Sequence, residues 1–262
     1  MRALWSGSIG FGLVNIPVRL FSATYERGLN FDMLHKTDLG RIHYSRVCSV
    51  EDKVVSYDEI VKGYEYEKGK YVVLTDKDFE KVNVEKCSTI SIVSFVDQVN
   101  IDPVYFEKPY FLEPGKNADR AFVILRDALE ESKKVGIATY VLREREHIGV
   151  LRAYDDFLVL NQLRYADEIR KPVGLRRPDR ERISKNEQEI AETLIQHLST
   201  PFKIEEYKDE YRRELLKMIR QKASGKQPKV KGAKPQPTPV NDLMNQLMKS
   251  LERERAKTRS DG

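Results

Sequence analysis

The first twenty residues, MRALWSGSIGFGLVNIPVRL, carry the pattern that decides the fold of this chain. Large apolar side chains at Trp5, Ile9 and Phe11 alternate with small residues, which is the two-residue period of a β-strand. The apolar phase shifts before Pro17, and a proline inside a strand marks a kink or an edge. The chain is therefore predicted to open on β-structure with small side chains on one face.

Further short apolar runs between turn signals predict six more strands. They lie at Lys70–Leu74, Thr89–Val96, Val104–Leu112, Ile137–Arg143, Ile148–Ala153 and Phe157–Leu163. Short strands separated by turns favour an antiparallel sheet or barrel.

Helices interrupt these strands and follow them. They are predicted from Thr75 through Val82, over Ala118–Lys134, after Ser184, and over Glu205–Lys222 with Tyr211, Leu215, Met218 and Ile219 buried. Ser184 and Glu187 have the spacing of a capping box. Gly136 is the expected terminator of the second helix.

The 262-residue chain has a net charge of +5, and that charge is unevenly distributed. Residues 220–262 hold 11 basic and 4 acidic side chains, whereas residues 1–219 hold 35 basic and 37 acidic ones. The length suffices for one large or two small domains without metal or disulfide support. Because the main body is not basic, its overall charge gives no reason to expect nucleic-acid binding.

The C-terminal region differs from the body in composition. Residues 222–239 contain five lysines, four prolines and no acid, which predicts an extended, flexible linker. Beyond Asn241, Leu243, Leu247 and Leu251 recur every four residues and predict a short helix that docks in a partner's groove. The alternative, that this helix folds back onto its own body, stays open.

The predicted fold class is α+β and β-rich. An antiparallel β-barrel core with inserted helices is expected over residues 1–183, and a helical C-terminal arm over 184–222. The flexible basic linker covers 223–240, and the terminal helix covers 241–257.

Simple counts exclude several classes of protein. Cys48 and Cys87 are too few for a disulfide framework. The only long uncharged run, Ala3–Val18, is too short and polar to cross a bilayer and lacks the leucine-rich centre of a secretory signal. We therefore expect a soluble protein of the reduced cytoplasm, with no membrane partner.

No active-site motif emerges. The stretch 63–70 has the wrong glycine spacing for a phosphate loop, and its charged and aromatic residues suit a hairpin turn. His35, His43 and Cys48 lack a fourth ligand and the spacing of a zinc site. We expect no catalytic residue, metal ion or cofactor, although a catalytic site assembled from distant residues remains an alternative.

Two basic clusters occur in the body. Arg143 and Arg145, interleaved with Glu144 and Glu146, are expected at a hairpin tip between two strands, and further arginines lie over 170–182. Such clusters are usually solvated loops. On a barrel with long loops, these arginines could instead contact the phosphates of a nucleic acid without recognising its base sequence.

Several long strings in this sequence closely resemble the prokaryotic Ku proteins. They are residues 1–20, IVKGYEY (60–66), YVVLTD (71–76), KVGIA (134–138), LVLNQLRYADE (158–168) and NDLMNQLMKSL (241–251). The likeness spans residues 1–222 and the terminal helix, so it is more specific than any single motif.

The resemblance implies a homodimer whose barrels and connecting arms form a ring threaded by a DNA end. Such proteins bind double-stranded ends without sequence preference and recruit an ATP-dependent DNA ligase with polymerase activity for non-homologous end joining of double-strand breaks. They have no catalytic activity in this role, and they act in the cytoplasm in association with the nucleoid. Some members carry a Cys-x-x-Cys pair near Cys48, but Glu51 occupies the second position here, so no zinc site is predicted.

Under this hypothesis, basic residues at strand ends and hairpin loops line the channel, and lysines of the tail add further contacts. The channel candidates are Arg19, Lys36, Arg41, Lys53, Arg143 and Arg145, and the tail candidates are Lys226, Lys229, Lys231 and Lys234. The terminal segment resembles the ligase-docking end of the family, with Asp242, Leu243, Leu247 and Leu251 as the docking residues.

Two other hypotheses stay open at this point. One is a hydrolase or nuclease of nucleic acid with a dispersed carboxylate site. The other is a generic interaction module whose basic tail alone binds DNA.

Overall fold

The N-terminal stretch folds into a β-hairpin, as its alternating pattern predicts. β1 (Trp5–Phe11) and β2 (Val14–Ser22) pair antiparallel, with Ile9 opposite Ile16. Gly12 adopts the left-handed backbone conformation in the turn, with φ of 57°. Glycine enters that region without the steric cost of a side chain.

The computed structural model of the protein describes residues 1–82, 88–178, 184–226 and 248–250. The chain divides into two units, Met1–Lys171 and Pro172–Gly262. After the first hairpin its elements are β3 (Lys62–Glu67), β4 (Lys70–Leu74), α1 (Asp76–Val82), β5 (Thr89–Asp97), β6 (Phe106–Pro114), α2 (Asp119–Ser132), β7 (Lys134–Leu142), β8 (Arg145–Tyr154), β9 (Phe157–Leu163), α3 (Lys185–Leu198) and α4 (Glu210–Ala223).

Seven of the described strands close into a barrel in the order β1-β2-β6-β9-β8-β7-β5. The barrel and its mixture with helices confirm the predicted α+β class. Six of the seven described pairings are antiparallel, but β1 and β5 close the barrel in parallel, with Ile9 opposite Ile90. A parallel pair requires a long crossover, which residues 23–88 supply between β2 and β5. We call residues 23–88 the insert.

The main apolar cluster of the first unit combines side chains of the barrel strands with side chains of α2. Ile16 and Leu112 are buried there, and α2 adds Phe122, Leu125 and Leu129 to the same cluster. The spacing of these three residues places them on one face of the helix, as the sequence predicts. The core of the first unit therefore lies between the strands and α2.

The boundary between α2 and β7 differs from the prediction. The helix ends at Ser132, and Lys133 adopts the left-handed conformation with φ of 53°. Gly136, the predicted terminator, lies inside β7, where a Cβ atom would come within 3.3 Å of the Ile92 side chain. The glycine therefore belongs to the close packing between β5 and β7 rather than to a helix end.

β6 begins two residues later than predicted for a local reason. The side chain of Asp102 accepts a hydrogen bond from the backbone N–H of Val104 at 2.9 Å and caps a short 3-10 turn over Pro103–Tyr105. The chain is held in this turn until Phe106, where the strand begins.

None of the described side chains of the insert is buried. Its regular structure is the hairpin β3–β4, the short helix α1, a 3-10 turn at Tyr57–Glu59 and isolated bridges such as the one between Leu34 and Arg41. The hairpin expected for residues 63–70 is confirmed, but only Lys68 and Gly69 form its turn, with Gly69 at φ of 80°, while residues 63–67 belong to β3. The described residues of the insert therefore form no buried core of their own.

The second unit contains α3 and α4. The predicted capping box opens α3: Ser184 Oγ donates to Glu187 Oε2 at 2.7 Å and accepts from the Glu187 backbone N–H at 3.3 Å. α4 begins at Glu210, later than predicted, because Asp209 caps it by accepting from the Arg212 backbone N–H at 2.8 Å.

The burial predicted for the apolar face of α4 is wrong for the single chain. Tyr211 is 79% exposed and Ile219 is 38% exposed, and no side chain of α4 is buried. No helix among the described residues is long and apolar enough to cross a membrane.

Candidate nucleic-acid interface

The β7–β8 hairpin presents two of the predicted DNA-binding arginines. Arg143 and Glu144 form its two-residue turn, and both have positive φ, at 52° and 64°. Two successive left-handed residues are typical of the type I′ turn that matches the twist of a tight hairpin. Arg143 and Arg145 are exposed, and neither forms an ion pair with another described residue. The predicted placement of these two arginines at a hairpin tip is confirmed.

Side chains next to this turn join the β7–β8 hairpin to the neighbouring strand β9. The rings of Tyr140 and His147 lie 5.5 Å apart between centroids, and His147 Nε2 lies 3.3 Å from the carbonyl oxygen of Leu142. The Tyr140 hydroxyl donates to Gln162 Oε1 at 3.5 Å. Burial raises the pKa of Tyr140, because it disfavours the charged phenolate relative to the neutral hydroxyl that donates this hydrogen bond.

A further polar contact extends this network to the neighbouring strand. Tyr110 also donates to Gln162 Oε1, at 3.3 Å, and Gln162 Nε2 donates to Glu107 Oε2 at 3.0 Å. Burial raises the pKa of Tyr110, and the positive charge of Arg143 opposes that rise. Arg143 is therefore electrostatically coupled to this end of the barrel.

Arg19 lies on the barrel wall and is already paired. It stands opposite Glu113 in the β2–β6 register, and Arg19 Nη2 lies 3.0 Å from Glu113 Oε2. The two side chains are about half exposed, at 53% and 42%. A phosphate that bound Arg19 would compete with this carboxylate, so Arg19 is a weaker candidate than the tip arginines.

A shallow groove beside Arg19 also contains Lys116 and Gly115. A Cβ atom at Gly115 would lie 2.8 Å from the Pro17 Cβ, so only glycine fits where the chain leaves β6. The groove lies between the first hairpin and the loop before α2. It contains two cations: Arg19, which is paired with Glu113, and Lys116.

Three predicted cations lie in the insert, and two of them are paired. Arg41 Nη2 lies 3.0 Å from Asp32 Oδ2, and Lys53 Nζ lies 3.7 Å from Glu51 Oε2. Lys36 is exposed and forms no ion pair with a described residue. Surface pairs of this kind contribute little to stability, so the acids mainly reduce the local positive charge.

Two turns of the insert, at 35–40 and 48–53, have the same hydrogen-bond pattern. In each, the first backbone N–H donates to the sixth carbonyl, at 2.8 and 2.9 Å, and the fifth N–H donates to the first carbonyl at 2.9 Å. The fifth residues, Leu39 and Asp52, both have positive φ. The turns therefore share one backbone conformation.

The side chains on these turns do not converge on a metal position. His35 Nδ1 lies 2.9 Å from Asp38 Oδ1, and the Gly40 backbone N–H, together with His35, lowers the pKa of Asp38. Backbone hydrogen bonds from Glu51 and Val50 lower the pKa of the Cys48 thiol. Within the described ranges, no three histidine, cysteine or acidic side chains are grouped so that they could hold an ion.

The predicted tail residues fall mostly outside the described residues. Lys226 is described and exposed. Lys229, Lys231, Lys234, Asp242, Leu243, Leu247 and Leu251 lie outside the described residues. Met248–Ser250, within the predicted terminal helix, are helical.

Several cations with defined contacts were missed by sequence reasoning. Lys62 pairs with Glu144 at the hairpin tip, at 2.8 Å, and Arg152 stacks 5.3 Å from the Tyr154 ring centre. The Lys62 contact joins residues 82 positions apart, so no local pattern signals it. Basic residues on α4 were also missed, although their spacing of three and four residues was visible in the sequence.

Comparisons with known proteins identify the family. A family model described as the Ku70/Ku80 beta-barrel domain matches residues 10–192 of this chain. The match begins near the end of β1, covers the other six strands of the closed barrel and continues into α3. The chain therefore belongs to the Ku family, and the resemblance seen in the sequence is confirmed.

Relatives of similar length support this assignment, and each is named "Non-homologous end joining protein Ku". The protein of Bacillus subtilis (strain 168) is 40% identical over 262 residues, which cover 99% of this chain and 84% of the relative. That of Archaeoglobus fulgidus is 41% identical over 253 residues, covering 96% and 99%. That of Coxiella burnetii is 38% identical over 269 residues, covering 100% and 98%.

Proposed function

We propose that this chain binds the ends of double-stranded DNA, without sequence preference, in the repair of double-strand breaks by non-homologous end joining. The observation that carries the proposal is the β7–β8 tip, where Arg143 and Arg145 are exposed and unpaired among the described residues of a Ku-family barrel. Arginine side chains on loops can contact phosphates without reading base edges.

The proposed DNA-bound form is a homodimeric ring. The insert supports dimerisation because it exposes many large apolar side chains: Val50 is 90% exposed and Tyr44 is 79% exposed. Large apolar side chains exposed in such number are typical of an interaction site. We take the partner to be a second copy of this chain, because an isologous contact would cover both inserts at once.

A ring explains how a body without excess positive charge holds DNA. Cations placed on the inner surface would each add a salt-dependent contact, whatever the net charge of the whole body. A closed ring also loads only where a duplex ends. The channel candidates remain Arg19, Lys36, Arg41, Lys53, Arg143 and Arg145, among which the unpaired Lys36, Arg143 and Arg145 are expected to contribute most.

Two further functions are assigned to the C-terminal segments, one to the linker and one to the terminal segment. Lys226, Lys229, Lys231 and Lys234 in the linker (223–240) would add salt-sensitive DNA contacts. The terminal segment (241–257) would recruit and stimulate an ATP-dependent DNA ligase with polymerase activity through Asp242, Leu243, Leu247 and Leu251. The core (1–183) and arm (184–222) would form the ring.

In this role the chain is proposed to perform no catalysis and to act in the cytoplasm at the nucleoid. Purified protein incubated with labelled duplex and Mg²⁺ should therefore leave the DNA intact. Cleavage that disappears when a single carboxylate is replaced would favour a nuclease instead.

A competition experiment tests the ring directly. Labelled linear duplex bound to the protein is challenged with unlabelled linear DNA or with a covalently closed circle of the same sequence. We expect the linear competitor to displace the label at a much lower concentration than the circle does. Equal displacement by both competitors would overturn end binding by a ring.

A further inference from the structure

α4 carries an apolar row and a basic row on opposite sides. The apolar row consists of Tyr211, Leu215 and Met218, and the basic row consists of Arg213, Lys217 and Arg220. Residues three and four positions apart lie on the same side of a helix, one turn above another. When the apolar row is covered by protein, the basic row therefore faces solvent.

The end of α4 extends the basic row by one more cation. Gly225 has φ of 75°, and its backbone N–H donates to the Lys222 carbonyl at 3.0 Å. The Lys226 N–H donates back to the Gln221 carbonyl, also at 3.0 Å. This left-handed helix end turns the chain back on itself, so that Lys226 lines the same groove as the basic row.

Acidic side chains neutralise only the start of this groove. Arg213 pairs with Glu210, and Glu214 is the one carboxylate among the described residues that line the groove. Lys217, Arg220 and Lys226 are exposed and form no ion pair with a described residue. Positive charge therefore accumulates toward the C-terminal end of α4.

The sequence continues this charge without interruption. From Leu215 to Asn241 there is no acidic residue, and the stretch contains six lysine and arginine side chains beyond Lys217. The acid-free stretch begins on the described helix, before the linker that was predicted to bind DNA. The helix and the linker thus carry one continuous run of positive charge.

The helix dipole provides an alternative explanation for part of this pattern. Cations in the last turn stabilise a helix by interacting with its negative C-terminal end. That effect accounts for Arg220 and Lys222, which lie in the last turn. It does not account for Lys217, which lies earlier and faces the same groove.

We propose that the basic row of α4, formed by Lys217 and Arg220 and extended by Lys226, binds the phosphate backbone of duplex DNA as a contact separate from the barrel. The proposal rests on the proposed function, because it assumes that the protein engages duplex DNA. Under this proposal, DNA binding by the C-terminal region begins on α4 rather than in the linker (223–240).

The test is the double variant Lys217→Gln/Arg220→Gln in the full-length protein. Glutamine keeps helix propensity and removes charge. Binding to a short blunt duplex is measured over a series of salt concentrations. We expect the slope of log K against log salt to become shallower by about 0.9 for each phosphate that α4 no longer binds, hence by about 1.8 or more, with an affinity loss of at least about tenfold at 0.1 M salt.

A matched control removes the same charge from the same unit. The control variant, Lys203→Gln/Lys208→Gln, changes two lysines in the acid-rich stretch before α4. There, Lys203 Nζ is 3.5 Å from Glu206 Oε1. This variant should leave the salt slope unchanged. Arg220→Lys, which keeps the charge, should retain the wild-type slope. Circular dichroism of each variant verifies that helix content is preserved.

The outcomes separate this inference from the proposed function. An unchanged slope in Lys217→Gln/Arg220→Gln, with wild-type preference for linear over circular DNA, overturns the α4 contact and leaves end binding standing. A shallower slope without preference for linear DNA supports the α4 contact and overturns the ring. Wild-type protein that does not bind duplex overturns both.

Discussion

Lys62 Nζ lies 2.8 Å from Glu144 Oε1, so that one ion pair joins the insert hairpin β3–β4 to the tip of hairpin β7–β8. The same ammonium lies 3.6 Å from Asp76 Oδ1 and 4.8 Å from the centre of the Phe79 ring. The hydrogen bond to Glu144 raises the pKa of Lys62, because it stabilises the charged ammonium. A single cation thereby links β3 and α1 of the insert to the β7–β8 tip of the barrel.

Glu144→Gln should strengthen DNA binding, because it removes a negative charge beside Arg143 and Arg145. We expect the affinity for linear duplex to rise by roughly threefold at low salt, with a small change in Tm because the Lys62 pair is exposed. Fluorescence anisotropy with a labelled duplex measures the effect. Glu131→Gln on α2 removes the same charge elsewhere, and an equal gain in that variant would argue against a role for the tip.

Arg143→Gln/Arg145→Gln should weaken binding to linear duplex and lower the salt slope by about 1.8 for each protomer of the proposed ring, since each phosphate contact contributes about 0.9. Arg120→Gln/Lys77→Gln, which removes the same charge from the first turns of two helices, should leave the slope near that of wild type. Arg19→Gln should have a smaller effect, because Glu113 already pairs with that arginine. A slope that is unaffected in the tip variant would remove these arginines from the interface.

Phe122→Ala should destabilise the first unit by about 3–5 kcal/mol, because it opens a cavity where a fully packed aromatic ring now lies. Phe122 is 2% exposed and belongs to the barrel core. Ile124→Ala, two positions along α2 and 61% exposed, should change the free energy of unfolding by no more than about 0.5 kcal/mol. Urea denaturation of both variants provides the comparison.

Ser184→Ala should raise the pKa of Glu187 toward its ordinary value. The Ser184 backbone N–H, followed by its hydroxyl, lowers that pKa in the folded protein. The stabilisation is therefore present above the ordinary pKa of 4.5 and is lost as the pH falls through the lowered folded-state value. The stability difference between wild type and variant should shrink in acid, and NMR titration of Glu187 reports the shift; an unmoved midpoint would contradict the capping interaction.

Leu247→Asp should abolish stimulation of an ATP-dependent ligase with polymerase activity while leaving DNA binding intact, because it places a charge in the predicted apolar row. Ligation of linear DNA with and without the protein is the measurement. Lys249→Gln, an exposed neighbour, serves as control. Stimulation that survives Leu247→Asp would assign ligase recruitment to another segment.

The local parts of the fold were predictable from the sequence. β4 and β9 occupy the predicted ranges Lys70–Leu74 and Phe157–Leu163, and the capping box at Ser184 opens α3 as expected. These features depend on residues a few positions apart, so their patterns survive in any tertiary context. The apolar row of α4 shows the limit of such patterns, because periodicity identifies a face but not what covers it.

The non-local parts were not predictable. The parallel contact of Ile9 with Ile90 and the pairing of Arg19 with Glu113 depend on strand order and register, which a single sequence does not display. For the same reason, the sequence could nominate Arg19 and Arg143 equally as DNA-binding residues. The structure distinguishes them, because Glu113 pairs with Arg19 across the strands, whereas Arg143 forms no ion pair with a described residue.

The parallel seam between β1 and β5 has a consequence for biosynthesis. β1 leaves the ribosome with the first residues of the chain, but its partner follows only after the whole insert, and β7, β8 and β9 come later still. Closure therefore requires contacts of large sequence separation, which makes folding slow. A nascent chain must carry an open sheet edge together with the apolar insert, and such species aggregate readily. Expression at lower temperature should accordingly raise the yield of soluble protein.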